Sequence, residues 1–573
     1  MKAISLLIVL LVSRAMASAG HHVAVSWWSP AAYLWHDAIA VLAFAALEVM
    51  LRHRPRVVWT LYVIAASYVV LNVPVQRVLW SPLTMTMWRA AGGPLADSIR
   101  HYATWINVAA VVAGIATMAL APRVARRLSA RAVLVTAVLC AALGPMAAER
   151  VDTMGAHRNA WTALAGSIAI RPVAVVEARD WRASSLPAAP DGDVRRFRGV
   201  AAGRNVVMIS LESTAARYLG IYGAQPDVAP NLSALASSSA IVFDNAYAVY
   251  PESIKGLLSV LCSSAPAIDT AAESYATVSC PSIAQTLANE RYRTALFHSG
   301  RFDYLGMNAI VRNRGFATLA DAGDIGGEKE SSFGIDETST VDRLLRWIDQ
   351  GGGDRPFFVT YLPIAGHHPY ESDGQRTFPD GDEFGRYRNA LHSGDAALGQ
   401  LRRGLEARGL DARTLWIVYG DHGEAFGQHE GNYGHTFHLY DENVRVPFVI
   451  AAPGAMPGTT RARQVVSLLD TAPTILDLLR LPIPDAYDGR SMLDGRSRAA
   501  LFFTDYSLSL AGLRDGSRKV IHDLRSGRTR WFDLDADPDE RVDLSSRHPA
   551  ETKRYADTLR GWTAARRTVF SAR

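Results

Sequence analysis

At 573 residues the chain is too long for one ordinary domain, so at least two units are expected. The 60 Lys and Arg against 55 Asp and Glu leave a net charge of only +5, and the basic residues are scattered rather than gathered with aromatics, which excludes a nucleic-acid-binding footprint. Three cysteines are too few for a disulfide scaffold.

The mean hydropathy of +0.04 averages two unlike parts. Before about residue 150 long apolar stretches follow one another, and after it charged and turn-forming residues are interspersed throughout. The first apolar segment, Ile4 to Ser13, follows Lys2 and runs into Ala15-Met16-Ala17, which reads as a signal-peptidase site; Arg14 at its edge fits a short uncleaved helix equally. Ala31 to Leu51, Val57 to Val75, Tyr102 to Ala121 and Ala132 to Ala148 each approach the length that crosses a bilayer as a helix.

Arg52, Arg54 and Arg56 follow the second of these five segments, and Arg123, Arg126, Arg127 and Arg131 follow the fourth. Both loops are expected on the cytoplasmic side of the inner membrane, which places the Gln76 to His101 stretch and everything after the last helix outside. Trp80 and Trp88 in that stretch suggest a segment lying in the interface, with a plain loop as the alternative. A membrane domain over 1–150, a linker over 151–202 containing Pro172, Pro187 and Pro190, a catalytic domain over 203–545 and a helical tail over 546–573 are expected.

Within the soluble part, Asn205 to Leu211 is a continuous apolar, β-favouring run that stops at Glu212-Ser213-Thr214. Similar runs recur at Phe357 to Leu362, Thr414 to Tyr419 and Val446 to Ile450, with helical patterns such as Val341 to Trp347 between them. Alternation of this kind predicts a parallel sheet covered by helices, with sites at the carboxyl ends of the strands. Polar residues gather at those ends: Glu212, His367-His368-Pro369-Tyr370 and Asp421-His422-Gly423-Glu424. One such group alone is a solvated turn or a helix cap. Two carboxylates and an imidazole at one sheet edge make a divalent-metal site, and that donor set does not choose among zinc, manganese and magnesium. Cys140 lies in an apolar segment; Cys262 and Cys280 can pair if their domain is extracytoplasmic, with two buried thiols as the alternative.

The order Asn205-Val-Val-Met-Ile-Ser-Leu-Glu-Ser213, Tyr218-Leu-Gly-Ile-Tyr-Gly223 and Ala229-Pro-Asn-Leu232 resembles the opening of the sulfatase family of the alkaline phosphatase superfamily. Gly420-Asp-His-Gly-Glu424, Gly434-His435 and Leu439 to Pro447 resemble its second metal motif, and Asp470 to Asp477, Asp488 to Ser491 and Trp531 to Asp539 continue the likeness. The resemblance implies an α/β/α sandwich with a small C-terminal subdomain behind a transmembrane helix bundle.

Sulfatases convert a cysteine or serine in a Cys-x-Pro-Ser-Arg type signature to formylglycine. The corresponding position here is Ser253, in Pro251-Glu-Ser-Ile-Lys255, without that Pro and Arg. Glu212 and Ser213 also stand where sulfatases usually carry two aspartates. Both departures resemble the membrane-bound phosphoethanolamine and phosphoglycerol transferases, including lipoteichoic acid synthase. That likeness implies one metal held by Glu212, Asp421 and His422 with Ser253 as nucleophile completing its shell, a phospholipid donor, and a lipid or glycan acceptor. It assigns phosphate binding and leaving-group protonation to His367 and His435. Arg301 is a candidate for the phosphate or headgroup against a surface salt bridge, Lys255 another against a solvated lysine, and Thr214 is a rival nucleophile. A membrane-anchored sulfuric ester or phosphodiester hydrolase is the alternative activity.

Overall fold

The computed structural model describes residues 2–90, 100–168, 179–187, 193–331, 333–372 and 376–568. Pro172, Pro190 and the 91–99 part of the outward-facing stretch lie outside the described residues.

Among the described residues, four helices are long and apolar enough to cross a membrane: Ser29–Met50, Pro55–Leu79, Trp105–Ala125 and Ala130–Arg150. The apolar segment ahead of them is a helix, Lys2–Ser18, packed among them through Leu6, Val9 and Leu10. Arg14 pairs at 2.7 Å with Asp37, which is only 1% exposed, so the charge at the end of that helix is matched inside the bundle.

The bundle has a polar asymmetry. The Lys2 backbone N–H donates to Glu48, and Tyr62 donates its hydroxyl to the Met118 carbonyl at 2.8 Å. These contacts put Lys2 and the two exposed arginine turns, after Met50 and after Ala125, at one end. At the opposite end the bundle meets the rest of the protein: Ser81 bonds Ser507, Thr84 donates to the Tyr506 carbonyl at 3.0 Å, and Arg158 donates to the Ser507 carbonyl at 2.7 Å. Trp80 is buried in this junction, its ring 4.2 Å from that of His21, whereas Trp88 is 45% exposed. Residues 160–168 of the expected linker form a helix, and Arg182 makes a bidentate pair with Asp470 at 2.6 Å.

The second unit is built on an eight-stranded sheet, ordered β10-β2-β9-β6-β1-β5-β3-β4. Its strands are β1 (Asn205–Leu211), β2 (Ala240–Tyr247), β3 (Arg293–His298), β4 (Thr318–Ala320), β5 (Phe357–Leu362), β6 (Thr414–Gly420), β9 (Arg445–Ala451) and β10 (Thr460–Ser467). The central strands are buried on both faces, which explains their unbroken apolar sequences. One face packs on Ile254, Leu257, Ile475 and Leu476, the other on Val341, Leu344, Leu398 and Leu401.

The expectation of a parallel sheet needs one amendment. β9 runs antiparallel to both of its neighbours, β2 and β6. The chain leaves β6 at its carboxyl end, makes an excursion over 421–444 containing the short hairpin β7 (Ala425–Phe426) and β8 (Tyr433–Gly434), and re-enters the sheet from the same edge. The carboxyl-end edge therefore receives a long connection with both ends anchored. A separate four-stranded antiparallel sheet, β11 (Ala500–Thr504), β12 (Leu510–Asp515), β13 (Arg518–Asp523) and β14 (Thr529–Asp533), packs with the helix Pro549–Thr568 through Leu513, Tyr555 and Trp562.

Candidate active site

Four strand ends supply the site. Glu212 follows β1, Ser253 lies a short turn beyond β2, His367 follows β5, and Asp421 and His422 follow β6. Ser213 adopts φ of +53°, and its N–H donates to Asp421 Oδ1 at 3.0 Å while its hydroxyl donates to Glu212 Oε1 at 2.8 Å. The tight turn after β1 thus orients both carboxylates.

Ser253 is the first residue of the helix Ser253–Cys262, whose N-cap Glu252 accepts from the Ile254 and Lys255 N–H groups. A hydroxyl here sits at the positive end of a helix dipole, a favourable place for an anionic group. Ser253 Oγ donates to Glu212 Oε2 at 2.7 Å and lies 3.2 Å from His422 Nε2. His422 Nε2 is in turn 3.5 Å from both Glu212 and Asp421. Three of the expected ligands and the expected nucleophile therefore converge.

The electrostatics fit a cation at this point. Burial and the facing Glu212 charge push the Asp421 carboxyl well up. Burial opposes the Glu212 charge as well, but the neighbouring His422, with a smaller contribution from His367, holds its carboxyl down at about 2. Two buried carboxylates in contact ionise together only with a compensating positive charge. Glu212, Asp421 and His422 present donor atoms within 4.8 Å of one another, a carboxylate-rich set with one imidazole that suits zinc, manganese or magnesium.

Glu424 belongs to the site although the sequence reading assigned it no role. It is buried, accepts from Tyr370 Oη at 2.8 Å, and lies 2.7 Å from His435 Nδ1. Burial lifts its carboxyl to about 7. Burial and the neighbouring His422 push His435 well below the ordinary histidine range, so its imidazole is neutral. Its ring is 4.2 Å from that of His422 and 6.4 Å from that of His367. The only available signal was the last letter of Gly420-Asp-His-Gly-Glu424, and a glutamate in a motif does not announce its burial.

The remaining candidates are placed differently. Lys255 is buried rather than solvated, and its ammonium pairs with Asp505 at 3.1 Å beside the Tyr250 ring. Arg301 is engaged by Glu330 in an ion pair. Thr214 donates its hydroxyl to the Glu212 carbonyl at 2.9 Å, which ties it into the turn. Cys262, at the end of the Ser253 helix, is in a disulfide with Cys280.

His367 lies on the wall of a cavity of about 850 Å³. The membrane-side residues Arg100 and His101 line its other wall, together with Lys329, Arg376 and Arg386. The His367 ring is 6.4 Å from that of His435, whose ring is 4.2 Å from that of His422, and His422 Nε2 lies 3.2 Å from Ser253 Oγ.

Comparison with known proteins agrees with the fold. Residues 204–481 match the family described as Sulfatase, and residues 429–554 match N-sulphoglucosamine sulphohydrolase, C-terminal. The chain is 29% identical to arylsulfatase K of Bos taurus over 185 residues, covering 29% of this chain and 34% of that protein. It is 24% identical to lipoteichoic acid synthase 2 of Bacillus subtilis (strain 168) over 332 residues, covering 54% of this chain and 50% of that protein. The chain thus spans between a third and a half of the length of these relatives. Among solved structures, lipoteichoic acid synthase LtaP from Listeria monocytogenes superposes with a TM-score of 0.55 at 18% identity, covering 68% of this chain and 96% of that one. A protein in the alkaline phosphatase superfamily from Vibrio parahaemolyticus superposes with a TM-score of 0.53 at 20% identity, covering 68% and 91%. At these identities the structural likeness establishes the fold.

Proposed function

We propose that this chain, a sulfatase-superfamily enzyme, transfers a phospholipid headgroup, phosphoethanolamine or phosphoglycerol, to a lipid or glycan hydroxyl through a phosphoseryl intermediate at Ser253. The observation that carries the reading is the Ser253 hydroxyl, 2.7 Å from Glu212 at a helix N-terminus, with His367 of the same site on the wall of a cavity that Arg100 and His101 of the membrane-side loop also line. A donor anchored in the bilayer can present its headgroup to such a cavity without leaving the membrane.

Glu212, Asp421 and His422 would hold one divalent ion, which when bound lowers the pKa of an adjacent hydroxyl and offsets charge on nonbridging phosphoryl oxygens. The protein's own groups do the rest. Ser253 Oγ gives up its proton along its hydrogen bond to Glu212 and forms the bond to phosphorus as the bond from phosphorus to the lipid oxygen breaks. The helix N-terminus faces the phosphoryl group, and His367 orients it from the cavity side. The raised Glu424 carboxyl donates to Nδ1 of the neutral His435, so Nε2–H gives its proton to the departing oxygen as the Glu424 proton moves onto Nδ1. In the second half the acceptor hydroxyl gives its proton to the His435–Glu424 pair and forms its bond to phosphorus, the Oγ–P bond breaks, and Ser253 recovers its proton from Glu212.

The reading locates the protein in the cytoplasmic membrane with the catalytic domain outside. The arginine turns at the bundle end remote from that domain support it, as does the Cys262–Cys280 disulfide. A second activity, hydrolysis of a sulfuric ester or phosphodiester, has support from the match over 429–554 and from the arylsulfatase K likeness. Lipid and glycan mass spectrometry of cells with and without the protein separates the two. A phosphoethanolamine or phosphoglycerol adduct that vanishes with the protein is expected; accumulation of an uncleaved ester with all adducts intact would favour the hydrolase.

A further inference from the structure

A second convergence of metal-ligating side chains lies outside the nucleophile centre. His101 precedes the membrane helix Trp105–Ala125, His368 follows β5, and Glu383 opens the helix Glu383–Ala407. Their donor atoms all lie within 4.8 Å of one another. Segments 267 and 15 residues apart in sequence, two from the catalytic domain and one from the membrane part, have no local reason to meet here.

The spacing of these donors fits a bound cation as well as a hydrogen bond. His101 Nε2 stands 3.3 Å from Glu383 Oε1, longer than the usual N–H···O distance of about 2.9 Å. It matches the edge, about 3.3 Å, of a tetrahedron whose metal–ligand bonds are about 2.0–2.1 Å. Tyr102 fixes the other two groups: its ring stacks on His368 at 5.3 Å and 9°, and its hydroxyl donates to Glu383 at 3.4 Å. Arg386 pairs with Glu383 at 3.9 Å, beyond hydrogen-bond length. His101 and His368 both line the 850 Å³ cavity, so a fourth coordination position would face it.

We propose that His101, His368 and Glu383 hold a second divalent cation of zinc type, tying the membrane-side loop to the catalytic domain. Two imidazoles and one carboxylate with an open position are a zinc donor set; magnesium and calcium take oxygen ligands. The site stands whether the enzyme transfers a phosphoryl group or hydrolyses an ester, because none of its ligands belongs to the Ser253 centre.

The test uses the full chain in detergent, stripped with chelator, reloaded with Zn²⁺, freed of excess metal and measured by plasma mass spectrometry. His101→Gln and Glu383→Gln should each lose one equivalent relative to the unaltered protein. The same loss should appear in an Asp421→Ala background, which separates this site from the nucleophile centre. His101→Cys should keep the equivalent, and on reloading with Co²⁺ should add a thiolate-to-cobalt charge-transfer band that the unaltered protein lacks. Unchanged zinc content in both His101→Gln and Glu383→Gln, with circular dichroism confirming the fold, would overturn the assignment.

Discussion

Lys255 Nζ lies 3.1 Å from Asp505 Oδ1 across 250 residues of sequence, joining the helix that begins with Ser253 to the turn after β11. Asp505 also accepts from Tyr250 Oη at 2.7 Å and from the Asp269 N–H at 2.6 Å. The lysine beside the nucleophile is thus a buried strut between the two sheets. Lys255→Ala should lower stability by about 3–5 kcal/mol, because it leaves a buried carboxylate without its counter-charge. Lys255→Met with Asp505→Asn should recover much of that loss in a thermal melt. A melting temperature unmoved by Lys255→Ala would return the lysine to the list of groups available to substrate.

Ser253 separates the chemical readings. Ser253→Ala should abolish activity while Ser253→Thr retains some, since the hydroxyl is the group that attacks. Protein made in a host lacking any formylglycine-generating enzyme should be active, and phosphate should appear on the peptide containing Ser253 during turnover. An aldehyde at this position in the intact mass would support a sulfatase. Full activity of Ser253→Ala would move attention to Thr214, whose hydroxyl is now occupied by the Glu212 carbonyl.

Asp421→Ala should remove bound metal from the nucleophile centre while leaving the sheet folded, because the residue lies just beyond β6 and adds little apolar burial. Loss of the acceptor of the buried Ser213 N–H should cost the metal-free variant about 1–3 kcal/mol relative to the metal-free unaltered protein. Metal content and chemical denaturation after chelator treatment measure the two effects. Unaltered metal content, with the second site blocked by His101→Gln, would show that Asp421 is not a ligand.

The sequence made the central strands and their polar ends legible because both signals are local. β1, β5 and β6 are unbroken apolar runs, and Glu212 and the Asp421-His422 pair sit directly at their ends. The direction of β9 was not legible, since nothing within Arg445–Ala451 records the edge from which the chain returns. Contacts made over long separations were equally silent. The Lys255–Asp505 pair, the burial of Glu424 and the meeting of His101 with Glu383 each depend on how separate units dock. Periodicity carries no trace of docking.

His522 gives the C-terminal sheet an acid dependence. It lies in β13, 1% exposed, with Nδ1 2.8 Å from Thr529 Oγ1. Burial, with a smaller contribution from Arg560, pushes its pKa from 6.5 to about 4. The unfolded chain therefore takes up the proton first as pH falls, so stability is full above pH 6.5 and declines down to about 4. The loss is about 3 kcal/mol once the folded pKa is passed, at about 1.4 kcal/mol per unit. His522→Gln should flatten the stability profile over that window by about one proton. An unchanged slope would mean that His522 titrates normally in the folded protein.

Topology is the last expectation, and the fold sharpens it. Lys2, the turn containing Arg52, Arg54 and Arg56, and the turn containing Arg126 and Arg127 gather at the end of the bundle remote from the Ser81–Ser507 junction. Positive residues in short loops hold that end in the cytoplasm, so the Ser253 domain should stand outside. Alkaline phosphatase joined to the C-terminus of the full chain should be active and green fluorescent protein there should be dark. The soluble domain should also resist thiol alkylation before reduction and accept two labels after it, at Cys262 and Cys280, because an oxidising compartment preserves their bond. Fluorescence at the C-terminus together with immediate labelling of both cysteines would invert the topology and remove the outer-leaflet lipid as donor.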